Sequence, residues 1–350
     1  MRNNVDITFH PSWWNKYAGI EFDEKFWFNT DYRLEADTHM RRVLYEYFAD
    51  YGIGEKEPAP RPILGSDLLA CGFLHSQLLG CNVLFKKDDA PQVLPAKLSD
   101  AQIGDLRVPD LDIHPIWKRM QDQIDEFMQK FGYVDSAINL MGIQNVALDL
   151  WGEDLFIDYY DEESDLSKHL LDVITDLTID VGKRLYSVSR AVSGGVTSVI
   201  NKVCPTVYLT SNCSVTMISN DLYCEHLLPY DIKLANAFSD FGIHHCGNNM
   251  ENVIDGYLMV PNLKFFEIGA GSNLSYISNA IDMSGRDIVS CIRYSPVSLK
   301  TDTLSEIKHK TDDAIKAFGT DKKLCFSCVG IDKDVSPDKV IDYLNVVTEI

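Results

Sequence analysis

From about residue 115 onward the chain alternates between two hydrophobic patterns. One repeats every three to four residues. Ile116, Met120, Ile124, Phe127 and Phe131 share a helical face opened by Pro115. After Ser164 a longer stripe runs through Leu166, Leu170, Ile174, Leu177, Val181 and Leu185. The other pattern is short and rich in β-branched and aromatic residues, predicting strands over 134–140, 207–210, 242–246, 264–268, 287–293 and 323–329. A helix over 221–240 is expected to be interrupted at Pro229, which has no N–H to donate. Thr303 and Glu306 have capping-box spacing, and Ser336-Pro337 opens a last helix that buries Val340, Leu344 and Val347.

Repeated strand–helix alternation implies a parallel sheet with right-handed crossovers. No Gly-x-Gly-x-x-Gly follows a first strand, so the α/β class resolves to a (β/α)8 TIM barrel rather than a dinucleotide-binding open sheet. The first sixty residues differ in character. They carry Trp13, Trp14, Tyr17, Phe22, Phe26, Trp27, Phe28 and Tyr32, then a helix from about Leu34 to Tyr51 and a Pro-rich connection, Glu57 to Pro62. The expected division is an N-terminal aromatic-rich extension over 1–61 and the barrel over 62–350. The aromatic run is expected to be a packed cap, with a lid over a flat substrate as the alternative.

Composition changes this picture little. The 350 residues are 45% hydrophobic and 24% charged, enough apolar mass for a large core. The net charge of -20 repels phosphate backbones and anionic lipid, so neither nucleic acid nor a membrane surface is expected as a partner. No apolar leader stands at the N-terminus and no apolar run reaches spanning length, so a cytoplasmic location is expected. The nine cysteines then read as reduced thiols, mostly buried as small hydrophobes.

Candidate chemistry concentrates in Gly242-Ile243-His244-His245-Cys246-Gly247. Residues two apart on a strand share a face, so His244 and Cys246 project together and His245 projects away. At the C-terminal end of a barrel strand that face is the mouth, where active sites form. An imidazole and a thiolate there make half of a zinc site. A third ligand should come from another strand end, and Cys328 ends the last predicted strand. Cys325 lies three residues earlier, on the opposite face, and mid-strand Cys291 reads as buried. Asn139, Gln144 and Asn212, near strand ends, are candidate substrate contacts. Glu267 at the end of its strand could orient a ligand or complete the metal shell.

His244, Cys246 and Cys328 resemble the His-x-Cys and distant Cys of the uroporphyrinogen decarboxylase-like superfamily, in its zinc methyltransferase branch. That branch includes methylcobamide:coenzyme M methyltransferases and O-demethylase relatives. Cys328 stands before Ser336-Pro337 as the family's late Cys stands before its Ser-Pro or Thr-Pro helix opening, and Leu227 to Asp231 also looks like the family. The likeness runs from roughly Val134 to the end. It implies Zn2+ as cofactor and methyl transfer between a small substrate and the cobalt of a corrinoid carried by a partner protein. The substrate would be a methoxylated aromatic, another O-, N- or S-methyl compound, or a thiol acceptor. Two departures stand out. The decarboxylase's Arg-Gln-Ala-Gly-Arg-Tyr run is replaced by Arg61-Pro62-Ile63-Leu64-Gly65-Ser66, which disfavours porphyrinogen decarboxylation. Cys328-Val329-Gly330 stands where Cys-Gly is usual, leaving Cys325 as a substitute ligand. The alternatives are a decarboxylase-like lyase and a non-catalytic zinc-binding protein on the same fold.

Overall fold

The computed structural model describes residues 4–189, 196–319 and 324–349. Ten strands occur among them: β1 (Val5–Phe9), β2 (Ile63–Gly65), β3 (Asn82–Leu84), β4 (Gln92–Leu94), β5 (Asp135–Ala137), β6 (Val207–Ser211), β7 (Asp240–His245), β8 (Leu263–Gly269), β9 (Val289–Tyr294) and β10 (Leu324–Ile331). Lys323, at the expected start of the last strand, lies outside the described residues.

The fold is α/β, built on a curled six-stranded parallel sheet in the order β1-β10-β9-β8-β7-β6. A short parallel pair, β2 with β5, stands between its two edges. Single bridges link it to each edge, Phe9 with Leu69 and Met141 with Ser211. The structure thus has the curled sheet of the barrel expectation, and among the described residues no continuously hydrogen-bonded ring of eight strands forms. An antiparallel hairpin, β3 with β4, lies apart from both.

The N-terminal segment is more than the cap expected of residues 1–61. β1 pairs with β10 along its length, Val5 opposite Phe326 through Phe9 opposite Ile331, so its residues belong to the main sheet. Its five residues are all buried. Val5, Asp6, Ile7, Thr8 and Phe9 alternate apolar and polar residues as a strand does, but five residues are a short run on which to read a period. The aromatic residues around it do pack as a core: Trp13, Trp14, Phe22 and Phe26 are fully buried.

Helices cover the outer face and begin where local chemistry dictates. His114 caps Pro115–Phe131, which stops at left-handed Gly132. Thr303 and Glu306 form the expected capping box at Leu304–Phe318, and Ser336 caps Pro337–Thr348. At Pro229 the chain does not break. The helix Asn220–Leu222 widens into a π turn over Tyr223–Leu227 and resumes as Leu228–Ala237. The wider turn absorbs the proline ring that would otherwise meet the preceding carbonyls. No helix among the described residues is long and apolar enough to cross a membrane.

Candidate metal centre at the strand ends

Register partners in a parallel sheet point the same way, so one row of contacts defines the inner face. Ser211, His244, Glu267 and Cys291 are successive partners across β6 to β9, and Cys291 faces Cys325 on β10. Nearer the strand starts this face is apolar: Val207, Leu209, Phe265, Cys291 and Cys325 form one small cluster. Nearer the strand ends it turns polar, with Ser211, His244, Glu267, Arg293 and Ser327.

At that polar end Cys213, His244 and Cys246 bring one sulfur, one ring nitrogen and one sulfur within 4.8 Å of one another. His244 ends β7 with its inner face, and Cys246 follows two residues on, as the pleat requires. Cys213 opens a short 3-10 turn, Cys213–Met217, directly after β6. Asn145 holds that turn: its Nδ2 donates to the Ser211 carbonyl at 2.7 Å and its Oδ1 accepts from the Ser214 N–H at 2.8 Å. In tetrahedral zinc sites with S and N ligands, donor atoms lie about 4 Å or less apart, so the three need only draw in slightly. Two thiolates, one imidazole and an open fourth position fit that ion.

The buried Glu267 carboxylate is hydrogen-bonded through Oε2 to Nδ1 of His244, and its Oε1 accepts from Ser327 Oγ at 2.8 Å. This orients the imidazole and leaves Nε2 for the cluster, an arrangement common behind metal-bound histidines. The electrostatics agree. Burial presses the His244 pKa down, but Glu267 and Cys246 outweigh it and lift it to about 9. Cys246 is drawn down to about 4, first by a hydrogen bond from Cys213 and then, against burial, by His244 and Arg293. Cys213, as the partner that keeps its proton, moves up. The directions of these shifts favour the thiolate of Cys246 and the protonated ring of His244. Arg293 adds positive charge, its Nη1 donating to the Cys246 carbonyl at 3.4 Å and its Nη2 to that of Val329 at 3.2 Å.

His245 faces away, as expected, hydrogen-bonded to the Tyr257 hydroxyl at 3.0 Å and to Asn249 Oδ1 at 3.2 Å. Cys328, expected as third ligand, is not among the donors brought together. Its neighbour Ser327 points to Glu267, so Cys328 points outward. It is fully buried in the main apolar core, and burial pushes its thiol up to about 12. Cys325 shares the inner face but lies deeper, in the apolar cluster. Cys213 stands beside His244 and Cys246 instead. The strand-end criterion applied to Cys328 finds it too, since it stands two residues past the end of β6.

The expected substrate contacts divide. Asn139 Oδ1 accepts from Ser211 Oγ at 2.8 Å, and Asn139 lines a pocket past the ends of β2 and β5. Gln144 and Asn212 line a second, smaller pocket and are held by protein partners. Gln144 donates to Ser214 Oγ at 3.1 Å and accepts from the Tyr159 hydroxyl at 3.3 Å. Asn212 donates through Nδ2 to Asp231 at 2.8 Å, and its backbone N–H donates to the His244 carbonyl at 2.9 Å. Both therefore brace the turn that carries Cys213.

No protein-family model matches the chain, and no curated protein matches it in sequence. Solved structures do match. A methyltransferase from Methanosarcina mazei superposes with a TM-score of 0.65 at 15% identity, over 98% of this chain and 91% of its own. A B12-independent methionine synthase from Shewanella sp. W3-18-1, in complex with selenomethionine, gives 0.51 at 11% identity, over 99% and 96%. The chain has the fold of these proteins.

Proposed function

We propose that the chain is a zinc-dependent methyltransferase on a (β/α)8-type scaffold, binding Zn2+ through Cys213, His244 and Cys246 and presenting its fourth position to the heteroatom of a small substrate. The observation that carries this reading is the three-donor cluster at the strand ends, with Glu267 orienting His244. Zinc there would act as a Lewis acid on a methylated heteroatom, or hold a thiol acceptor as its thiolate. The protein's part is to fix the imidazole through Glu267 and Ser327, to place Cys213 through Asn145, and to set Arg293 beside the thiolates.

The methyl group's other station is the cobalt of a corrinoid on a partner protein. That partner would dock over the strand ends, where an acidic surface should give way to apolar contacts. Met217, Tyr276 and Val297, in the segments following β6, β8 and β9, are 61%, 48% and 71% exposed and suit that role. Transfer without a corrinoid is the second reading, favoured by the fold shared with a B12-independent methionine synthase. Porphyrinogen decarboxylation gains nothing from Arg61, whose guanidinium is bound to Asp37 at 2.8 Å and Asp67 at 2.7 Å.

Two measurements test the proposal. Elemental analysis should find about one zinc per chain, lost in Cys213→Ala and Cys246→Ala but kept in Cys328→Ala and His245→Ala. Incubation with a reduced corrinoid protein and O-, N- or S-methyl donors should replace the reduced corrinoid spectrum with the methylated one. Zinc retained in both Cys213→Ala and Cys246→Ala sinks the site. An unchanged corrinoid spectrum, with methyl transfer seen between corrinoid-free donors and thiols, selects the second reading.

A further inference from the structure

The interior of the curled sheet is filled on one side only. Toward β6 to β10 its lower part, at the strand starts, is packed by Val199 and Ile200 against Val207, Phe265, Cys291 and Cys325. Toward the short pair β2 and β5 it is not. Leu64 lies in the core between sheet and helices, so Ile63 and Gly65 on either side of it face inward, with their register partners Asp135 and Ala137. Most of these side chains are short. They leave a cavity of about 240 Å³, bounded on its other side by Asn201, in the helix Ile200–Val203, and by Pro205. The inside of a barrel is ordinarily a packed core, and a cavity of about 150 Å³ already admits benzene. β6 and its lead-in carry the chain about 20 Å from Pro205 to Ser211, so the cavity lies at the opposite end of the sheet from Cys213, His244 and Cys246.

The charges along this wall do not balance. Arg61 and Asp67 both line it but satisfy each other: Nη1 and Nη2 of Arg61 donate to the two oxygens of Asp67 at 2.8 and 2.7 Å, and Nη2 also reaches Asp37 at 2.8 Å. Asp135 is left over. It is half-buried, and among the described residues its carboxylate has neither an ion pair nor a hydrogen-bond donor. The side-chain amide of Asn201, across the cavity, is likewise without a partner among the described residues. Ile63, Ala137 and Pro205 give the same space an apolar side.

We propose that this cavity is an accessory site for a small organic cation, a primary ammonium on a compact apolar body of about six to ten heavy atoms. The ammonium donates to Asp135 and to the carbonyl oxygen of the Asn201 amide, and the body lies on Ile63, Ala137 and Pro205. Asp135 repels an anion. An uncharged body of the same shape gains the apolar wall but covers the carboxylate without supplying a partner for it. The site stands at the far end of the sheet from the metal centre and does not depend on the methyltransferase reading.

Calorimetric titration of the full chain with cyclohexylmethylamine is the test, in about 150 mM salt so that the acidic surface is screened. One amine per chain should bind, about tenfold or more tighter than either cyclohexylmethanol or cyclohexanecarboxylate. Asp135→Asn should weaken the amine about tenfold and leave the alcohol unchanged. Ala137→Leu fills the cavity without altering any charge and should weaken both about tenfold or more. An amine held only by the acidic surface would bind Ala137→Leu as it binds the natural chain. If Ala137→Leu does not fold, Asp135→Asn carries the test. Cys246→Ala should bind the amine as the unaltered chain does, which separates this site from the metal centre. No binding of the amine, equal affinity for the alcohol, or undiminished binding in the folded cavity variants overturns the proposal.

Discussion

A single strand's pleat tells which of its own residues share a face, and no more. His244 and Cys246 were legible for that reason, and so was the departure of His245. The face of Cys328 was not, because it depends on the register of β10 against β9, where Ser327 aligns with Arg293. Cys213 sits on a turn, where no period fixes its direction, so only its place just past the end of β6 marks it. Another residue invisible in the pattern is Asp231, on the helix after the π turn. It accepts hydrogen bonds from the Tyr223 hydroxyl at 2.7 Å and from Asn212 at 2.8 Å. Burial pushes its carboxyl up to about 6, against those two bonds. Because that value lies above the unfolded one, the folded chain holds this proton more tightly. The stabilisation is present below about pH 4 and is lost as the pH rises through about 6. Asp231→Asn keeps an acceptor for both donors and removes the titration. It should gain on the natural chain by up to about 3 kcal/mol between pH 4 and pH 7, read from urea unfolding at each pH. A difference that stays constant with pH would show that the carboxylate is compensated elsewhere.

At the scale of elements, capped helices and the late strands were well marked in sequence. Thr303, Ser336 and Pro115 each stand where a helix begins. Contacts between loops were not marked, and they set the metal centre. A Cβ on Gly269, at the end of β8, would lie 2.3 Å from the Gly247 carbonyl oxygen and 2.8 Å from Asn248 Oδ1. The bare backbone there lets the loop after Cys246 lie close over β8. Gly269→Ala should push that loop away, lowering stability by about 1–3 kcal/mol as overpacking does. Zinc affinity should fall with it, as a competition titration with a chelator would measure. Lost stability with unchanged zinc affinity would mean that the loop's path does not govern Cys246.

For the molecule as a whole, the α/β class and parallel alternation could be read from the chain, whereas the division at residue 61 could not. β1 is only five residues long and lies most of the sequence away from its partner, so its brief alternation does not announce where it pairs. A fragment spanning 62–350 would leave β10 with an open edge and the helix Pro337–Thr348 without part of its floor. It should fail to form a cooperative, monodisperse fold, as circular dichroism melting and size-exclusion chromatography would report. A fragment with a sharp melt and a monomeric peak would restore the view of the first sixty residues as an appendage.

The pairing of β1 with β10 also orders events in time. Asn4 reaches the Leu324 carbonyl across 320 positions of sequence, at 3.1 Å. Closing so long a loop carries an entropic cost of about 5 kcal/mol, and such contacts form late and slowly. On a ribosome β10 emerges after β6 and β7, and so after Cys213, His244 and Cys246. Those three donors can therefore come together while the sheet is still open at this edge, and β10 joins β1 only afterwards.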